Sequence, residues 1–407
     1  MNRKKKICVV TGSRAEYDLL YPLIDEIDRT DSIELDIIVT GSHLSNEFGS
    51  TYKRIEEDGF IISRKVEVLV SSSSQLAISL DGDINKYIRV YKDVNVSKSI
   101  GIGIIGFSEA YSDLKPDLIV LLGDRFEIFA AASAATVQKI PIAHIHGGEV
   151  TKGSFDESFR HSITKMSHLH FTSIEEYRNR VIQLGEDPDS VFSFGAIGLD
   201  NIQENLLLSR TAFEKCIGLK LNKKNLLISF HEATLEKEST TIQFQNLLDA
   251  LDNLKDTHFI FTKSNADPAG KMINKLIEKY VSSNSHKAIM FTSMGRSLFL
   301  SAMKNVNGVV GNSSSGLIEA PSIGVGTINI GNRQGGRTSA SSVIHCEPNV
   351  KGITKAFSVL YSHSYQKKLS EVINPYQGKN VAKKILKVIK SVDLEGILLK
   401  KFYDIKN

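Results

Sequence analysis

Four ionisable side chains lie close together in the chain: Asp124, His146, Glu149 and Asp156. Asp124 stands beside Arg125 in Leu121-Leu122-Gly123-Asp124-Arg125-Phe126-Glu127, directly after an apolar run. His146 and Glu149 follow the next run, in Ile142-Ala143-His144-Ile145-His146-Gly147-Gly148-Glu149. Asp156 opens the helical pattern Phe155-Asp156-Glu157-Ser158-Phe159-Arg160-His161. Carboxylates and an imidazole at strand ends and helix starts suit proton transfer. Each also has a plainer reading: Asp124 and Asp156 could cap the helices that follow them. His144 alternates with His146 along the strand and should share its face. Zinc is a rival reading of the imidazoles, but no His-x-x-x-His on one helix supports it.

A second set of residues suits anions. Val309-Val310-Gly311-Asn312-Ser313-Ser314-Ser315-Gly316-Leu317-Ile318-Glu319-Ala320 runs from a strand through small polar residues into a helical pattern. Free amides at a helix start attract anions. Ser313 and Ser314 add hydroxyl donors. Glu319 does not suit a phosphate but does suit a pair of sugar hydroxyls, so the combination suggests a nucleotide. A strand–loop–helix turn with a serine cap is the simpler alternative. Arg14, in Thr11-Gly12-Ser13-Arg14-Ala15-Glu16-Tyr17, could pair with a diphosphate or sit on the surface. His231 ends another strand and could bind phosphate or be a core histidine. Asn265, in Thr262-Lys263-Ser264-Asn265-Ala266-Asp267, offers an amide to a base or ribose.

Short β-branched runs must position these groups. They are Ile7–Val10, Leu35–Thr40, Asp117–Leu122, Pro141–Ile145, Leu169–Thr172, Leu226–Phe230, His258–Thr262, Ala288–Phe291, Val306–Val310 and Thr327–Ile330. They do not alternate in polarity, as expected of strands buried on both faces. Helical patterns such as Phe126–Val137, Ile174–Leu184, Thr241–Leu254 and Gly270–Val281 lie between them. This order predicts an α/β fold of two doubly wound Rossmann-like domains. The pattern restarts near Asn222, which puts the boundary near Gly195–Asp200. Ligands in such sheets sit beyond the carboxyl ends of the strands, so the two domains should face one cleft. Val381, Ile385, Val388 and Val392 fall at helical spacing with Lys383, Lys384, Lys387 and Lys390 between them. That reads as a closing helix packed on a domain rather than a membrane helix. Ser71–Ser74 reads as a loop.

Composition narrows the class. The chain has 407 residues, 41% apolar and 24% charged, as in ordinary globular proteins. Its net charge of +4 is too small to argue for nucleic acid. Three scattered cysteines imply no disulfide framework and fit a reducing cytoplasm. No apolar run approaches the roughly 18 residues of a membrane span. The turn after the first strand lacks Gly-x-Gly-x-x-Gly, so no nicotinamide cofactor is expected.

Taken together, Thr-Gly-Ser-Arg-Ala-Glu-Tyr (11–17), Gly-Asp-Arg-Phe-Glu (123–127), His-Ile-His-Gly-Gly-Glu (144–149), Arg-His-Ser-Ile-Thr-Lys-Met (160–166), Gly-Asn-Ser-Ser-Ser-Gly (311–316) and Ile-Asn-Ile-Gly-Asn-Arg-Gln-Gly-Gly-Arg (328–337) resemble the UDP-N-acetylglucosamine 2-epimerase family. The similarity is greatest to its hydrolysing branch from bacterial sialic-acid biosynthesis. The resemblance implies a glycosyltransferase-B type fold: a first domain over 1–197, a nucleotide-binding domain over 198–375, and a tail helix in 376–407 that returns to the first domain. It implies conversion of UDP-GlcNAc and water into ManNAc and UDP through 2-acetamidoglucal. Its sister activities are a non-hydrolysing epimerase and a hydrolase of GDP-linked diacetamido sugars; a glycosyltransferase of the same fold is a further alternative.

By the same resemblance, His231 and Arg333 lie near the diphosphate, Ser313 and Ser314 bind phosphate oxygens, Glu319 the ribose, and Asn265 the nucleotide. Arg14 and Arg125 close from the other side. Asp124, position 146 and Asp156 are the acid–base groups of the first domain. Related enzymes carry Glu where this chain has His146, so the proton-handling role falls to His146 or Glu149. His231-Glu232-Ala233 replaces the family's usual His-Pro. The resemblance requires no metal or cofactor and implies a homo-oligomer, dimer or tetramer.

Overall fold

A computed structural model describes residues 3–46, 49–69, 84–152, 154–202, 207–233, 239–264 and 270–405. Asn265 and the Ser71–Ser74 run lie outside the described residues. Seven strands form one parallel sheet: β1 (Lys5–Thr11), β2 (Ile33–Thr40), β3 (Arg64–Val66), β4 (Leu118–Leu122), β5 (Ile142–Ile145), β6 (Leu169–Thr172) and β7 (Val191–Ser193). Six form a second: β8 (Lys224–Ser229), β9 (Thr257–Thr262), β10 (Ala288–Phe291), β11 (Gly308–Gly311), β12 (Gly326–Ile330) and β13 (Val343–Cys346). The orders are β3-β2-β1-β4-β5-β6-β7 and β10-β9-β8-β11-β12-β13. This is the expected α/β architecture of two doubly wound sheets.

Both sheets reverse direction of growth beside their first strand: between β1 and β4 in one, and between β8 and β11 in the other. At such a switch point the flanking helices leave on opposite faces, and a crevice opens beyond the strand ends. Arg14 follows β1 and Asp124 follows β4. His231 follows β8 and Ser313 follows β11. The chosen residues therefore stand at the two places where this topology makes room.

The central strands carry the runs seen in the sequence because both faces are covered. Ile7, Val9, Ile119, Val120, Leu226, Leu227 and Ile228 are all essentially inaccessible. The helix Ile84–Leu114 packs against Phe126–Val137 across glycine. A Cβ on Gly103 would stand 2.9 Å from that of Ala130. A larger residue would force these helices apart.

Two compact units result. One comprises Met1–Gly148, Ser158–Phe194 and Ala382–Asn407; the other, Glu149–Glu157 and Gly195–Val381. These bounds differ from the expected 197 and 375. Glu149 and Asp156, with the short stretch that joins them, belong to the second unit rather than the first. The tail helix Val381–Ser391 buries Val381, Ala382, Ile385, Leu386 and Ile389. Its buried seam is wider than the one predicted, and Val388 is only half-buried. Its last carbonyls are taken by the first strand: Lys5 Nζ donates to Ile389 O at 2.9 Å and to Val392 O at 3.0 Å. Further on, Lys400 Nζ donates to the carbonyls of Lys165 and Ser167, at 2.6 and 2.7 Å. This ties down the C-terminal end of the helix Asp156–Met166. Among the described residues no helix is long and apolar enough to cross a membrane.

Candidate active site

In the first unit the end of β4 is fixed from behind. His144 on β5 is wholly buried; its Nε2 lies 2.8 Å from Gly123 O and its Nδ1 3.1 Å from Thr164 Oγ1. Nε2 must carry the proton to meet a carbonyl, which leaves Nδ1 to accept from the threonine. Burial lowers the His144 pKa to about 3, so the ring is neutral. It is a structural histidine, and it holds the carbonyl just before Asp124.

Asp124 does not cap the next helix. That helix runs Phe126–Val137, and its N-cap is Arg125. Instead Asp124 Oδ2 accepts from Arg160 Nη2. Arg160, only 2% exposed, also donates from Nη1 to the carbonyl of His146 at 2.8 Å. One guanidinium thus joins two of the expected acid–base residues. The sequence reading gave Arg160 no role of its own. Its spacing of four from Asp156 sets both on one helical face, and that was the available signal.

His146 is 5% exposed and lies just beyond β5 with φ of +65°. Its amide donates to Phe171 O at 2.9 Å. The positive φ ends the pleat, so strand alternation no longer relates it to His144. A non-glycine residue in this region is uncommon and is held by its surroundings. The Arg160 bond to its carbonyl is one such restraint.

Arg14 begins the helix Arg14–Asp28, whose cap is Ser13: its Oγ accepts from Glu16 N at 3.4 Å. Burial lowers the Arg14 pKa and Asp18 raises it. Arg125 lies against two carboxylates, with Nε 2.8 Å from Glu127 Oε1 and 3.7 Å from Glu16 Oε1.

The second unit builds its site around Asn312. Asn312 Oδ1 accepts from His231 N at 2.7 Å, and Asn312 Nδ2 donates to His231 O at 2.8 Å. Its own carbonyl accepts from Arg333 Nη1 at 3.1 Å and from Gln334 Nε2 at 2.9 Å. Arg333 Nε also donates to Glu232 O at 3.0 Å. The side-chain amide of Asn312 thus holds the loop after β8, and its main-chain carbonyl holds the loop after β12, which ties His231 and Arg333 to the loop of Ser313. The His231 ring lies 3.3 Å from Ser229 Oγ and 3.4 Å from Ser264 Oγ. With its main chain clasped by Asn312, the missing proline has little left to fix.

Gly311 has φ of +140°, and a Cβ there would fall 1.9 Å from Ser229 O. Only glycine lets the chain turn this closely past β8. The helix beyond is a single turn, Ser315–Ile318, followed by Ala320–Ile323. Ser313 Oγ accepts from Ser315 N at 3.4 Å, a bond made from one residue before the N-cap position. Ser314 is half-buried at the N-cap position and makes no side-chain cap bond.

Glu149, Arg337 and Glu319 form a buried charged chain in this unit. Arg337 Nη2 lies 2.8 Å from Glu149 Oε2, with side chains 7% and 1% exposed. Arg337 Nε donates to Val150 O at 3.0 Å. Glu319 is buried, and burial raises its carboxyl to about 7; Arg337 opposes this and Glu149 adds to it. Its Oε2 has no hydrogen-bond partner among the described residues. Asp156 is the first residue of its helix rather than the cap, and Ser154 Oγ donates to its carboxylate. Asn312 and Arg337 carried no assignment from sequence, although both lie inside the stretches quoted for the resemblance.

The profile of one family, described as UDP-N-acetylglucosamine 2-epimerase, matches residues 25–390. The chain is 41% identical over 403 residues to GDP/UDP-N,N'-diacetylbacillosamine 2-epimerase (hydrolyzing) of Campylobacter jejuni, covering 99% of this chain and 100% of that protein. It is 37% identical to polysialic acid biosynthesis protein P7 of Escherichia coli, covering 98% of each. Among solved structures, UDP-GlcNAc 2-epimerase from Neisseria meningitidis bound to UDP-GlcNAc superposes with a TM-score of 0.76 at 20% identity, over 95% of this chain and 100% of that one. That likeness speaks for the fold alone.

Proposed function

The chain belongs to the UDP-N-acetylglucosamine 2-epimerase family, and from that premise we propose that it is a hydrolysing 2-epimerase of a nucleoside-diphosphate 2-acetamido sugar. The observation that carries the reading is the buried Arg160, which joins the Asp124 carboxylate and the His146 main chain.

A base takes the proton from C2 while the bond from C1 to the diphosphate oxygen breaks. The electrons of the C2–H bond form the C1–C2 double bond of a glycal, and the nucleoside diphosphate leaves with its bonding pair. Water then adds: its oxygen bonds to C1, and a proton reaches C2 from the opposite face. The C2 proton is weakly acidic, so stabilising the departing diphosphate must supply much of the rate. Asp124, His146 and Asp156 are the proposed proton-handling groups. Arg14, Arg125, His231, Arg333, Ser313 and Ser314 are the proposed diphosphate contacts. Asn265 keeps its proposed place near the nucleotide. Glu319, whose buried Oε2 has no hydrogen-bond partner among the described residues, is the proposed acceptor for ribose hydroxyls.

Between His146 and Glu149, the ion pair with Arg337 favours His146. Glu149 is committed to a guanidinium, and protonating it would break a buried ion pair.

For the sugar, the Campylobacter jejuni relative favours a diacetamido sugar carried by GDP or UDP. The polysialic acid relative favours UDP-GlcNAc as a second reading. Incubation with each nucleotide sugar in heavy water, followed by NMR, tests both. The expected product is a free 2-epimerised sugar, deuterated at C2, from one of the two. Release of neither sugar sinks the proposal. A product still linked to its nucleotide points to a non-hydrolysing epimerase.

A further inference from the structure

Two buried carboxylates meet one guanidinium at the switch point of the first sheet. Side-chain exposures are 18% for Arg125, 8% for Glu16 and 0% for Glu127. Arg125 Nε approaches both carboxylates, and Gly12 N donates to Glu16 Oε2 at 2.7 Å. The backbone is cut away to admit Glu127. A Cβ on Gly12 would fall 2.6 Å from Glu127 Cγ, and one on Gly41 would fall 2.8 Å from Glu127 Oε1. Two glycines on separate loops thus make room for the Glu127 side chain.

The charges there do not balance if both acids are ionised. Two buried carboxylates against one guanidinium leave an uncompensated negative charge, which is costly away from water. Glu16 Oε1 and Glu127 Oε2 have no hydrogen-bond partner among the described residues. A proton on either carboxyl would remove that uncompensated charge. The neighbouring charges are consistent. Burial and then Glu127 raise Glu16 to about 8, Arg125 and the Gly12 amide pull it down, and Asp124 pushes it up. On the adjacent loop, burial holds His43 neutral, with its pKa lowered to about 3.

We propose that Glu16 and Glu127 share a single proton and act together as positioning residues that hold Arg125 for the substrate diphosphate. This rests on the proposed reading of Arg125 as a diphosphate contact. With one proton shared, the pair and Arg125 cancel. Once that proton leaves, the cluster carries a net negative charge and repels the ligand. Nucleotide affinity should therefore fall as pH rises through about 8.

The test uses the full chain labelled with carbon-13 at the glutamate carboxyls, alongside calorimetric titration with UDP and GDP. One carboxyl should titrate near 8 in the wild type, vanish in Glu16→Gln and move downward in Glu127→Gln. Affinity should drop about tenfold between roughly pH 7 and pH 9.5 in the wild type, and less than about twofold in Glu16→Gln. A purely structural pair would alter melting without removing this pH dependence. Should the glutamine variants not fold, Arg125→Lys should move the same carboxyl signal upward. No carboxyl near 8 that responds to these variants overturns the shared proton. An alkaline fall that survives in both glutamine variants overturns the positioning role. The carboxyl signal with no nucleotide binding at any pH overturns Arg125 as a diphosphate contact and leaves the shared proton standing.

Discussion

Replacing Arg337 with methionine should destabilise the second unit more than any surface change could. Methionine keeps much of the arginine's length but removes the donors to Glu149 and to Val150 O, 2.8 and 3.0 Å away. Glu149, 1% exposed, is then left charged beside the buried Glu319. Breaking a buried pair by removing one partner costs about 3–5 kcal/mol. The lost main-chain bond adds about 1 kcal/mol. Glu149 can relieve part of this by taking up a proton, so the cost should shrink at acid pH. Glu149→Gln in the same chain should restore about 2 kcal/mol or more, because no orphaned charge remains. The chain lacks tryptophan, so urea unfolding is best followed by circular dichroism, fitted with separate transitions for the two units. A single variant within about 1 kcal/mol of wild type at pH 8, or equal losses in the single and double variants, would refute the buried-pair reasoning.

Other substitutions probe the remaining parts. Gly311→Ala places a methyl 1.9 Å from Ser229 O at φ of +140°, and should cost more than about 3 kcal/mol and abolish UDP binding, read by melting and calorimetry. Glu319 has a raised folded pKa, so its contribution to stability is present below about 4.5 and lost as pH rises through about 7. Glu319→Gln should accordingly gain stability relative to wild type at pH 8 but not at pH 4, by up to about 3 kcal/mol. The same variant should lose the rise in nucleotide affinity expected of the wild type as this carboxyl ionises. Asp124→Asn should stop turnover while changing UDP affinity by less than about tenfold, roughly 1.4 kcal/mol; full turnover would remove Asp124 from the chemistry.

Central strands were legible in the sequence because burial on both faces demands an unbroken apolar run. The strands that escaped are β3, β7 and β13, and all three are sheet edges. Arg64–Val66 has two exposed cations in three residues, and β13 has no fully buried residue. Charge on an edge discourages further pairing and also hides the strand from a hydrophobic pattern. The helix Ile84–Leu114 was obscured in the same way by Gly101, Gly103 and Gly106, the last two of which serve close packing. The candidate site residues after strands could be nominated from sequence because such a topology places ligands there. The residues that hold them could not. Asn312, Arg160 and His144 act on carbonyls and amides distant in sequence, and pattern carries no record of those partners. Glu149 shows the limit most clearly: its partner Arg337 is 188 positions away (337 − 149), and only their meeting distinguishes a held carboxylate from a mobile one.

The bond from Lys5 to the carbonyl of Ile389 sets a timetable for synthesis. Those residues are 384 positions apart. At about 5–20 residues per second, the lysine waits roughly 20–80 s for its partner to be made. The second unit's main stretch, Gly195–Val381, is complete before Ala382–Asn407 exists to finish the first. Folding on the ribosome should thus run in reverse of chain order. The earlier-made unit remains open the longer, with Lys5 awaiting the carbonyls of Ile389 and Val392. A ribosome stalled after Val381 should present a protease-resistant second unit attached to a first unit that is still readily cut.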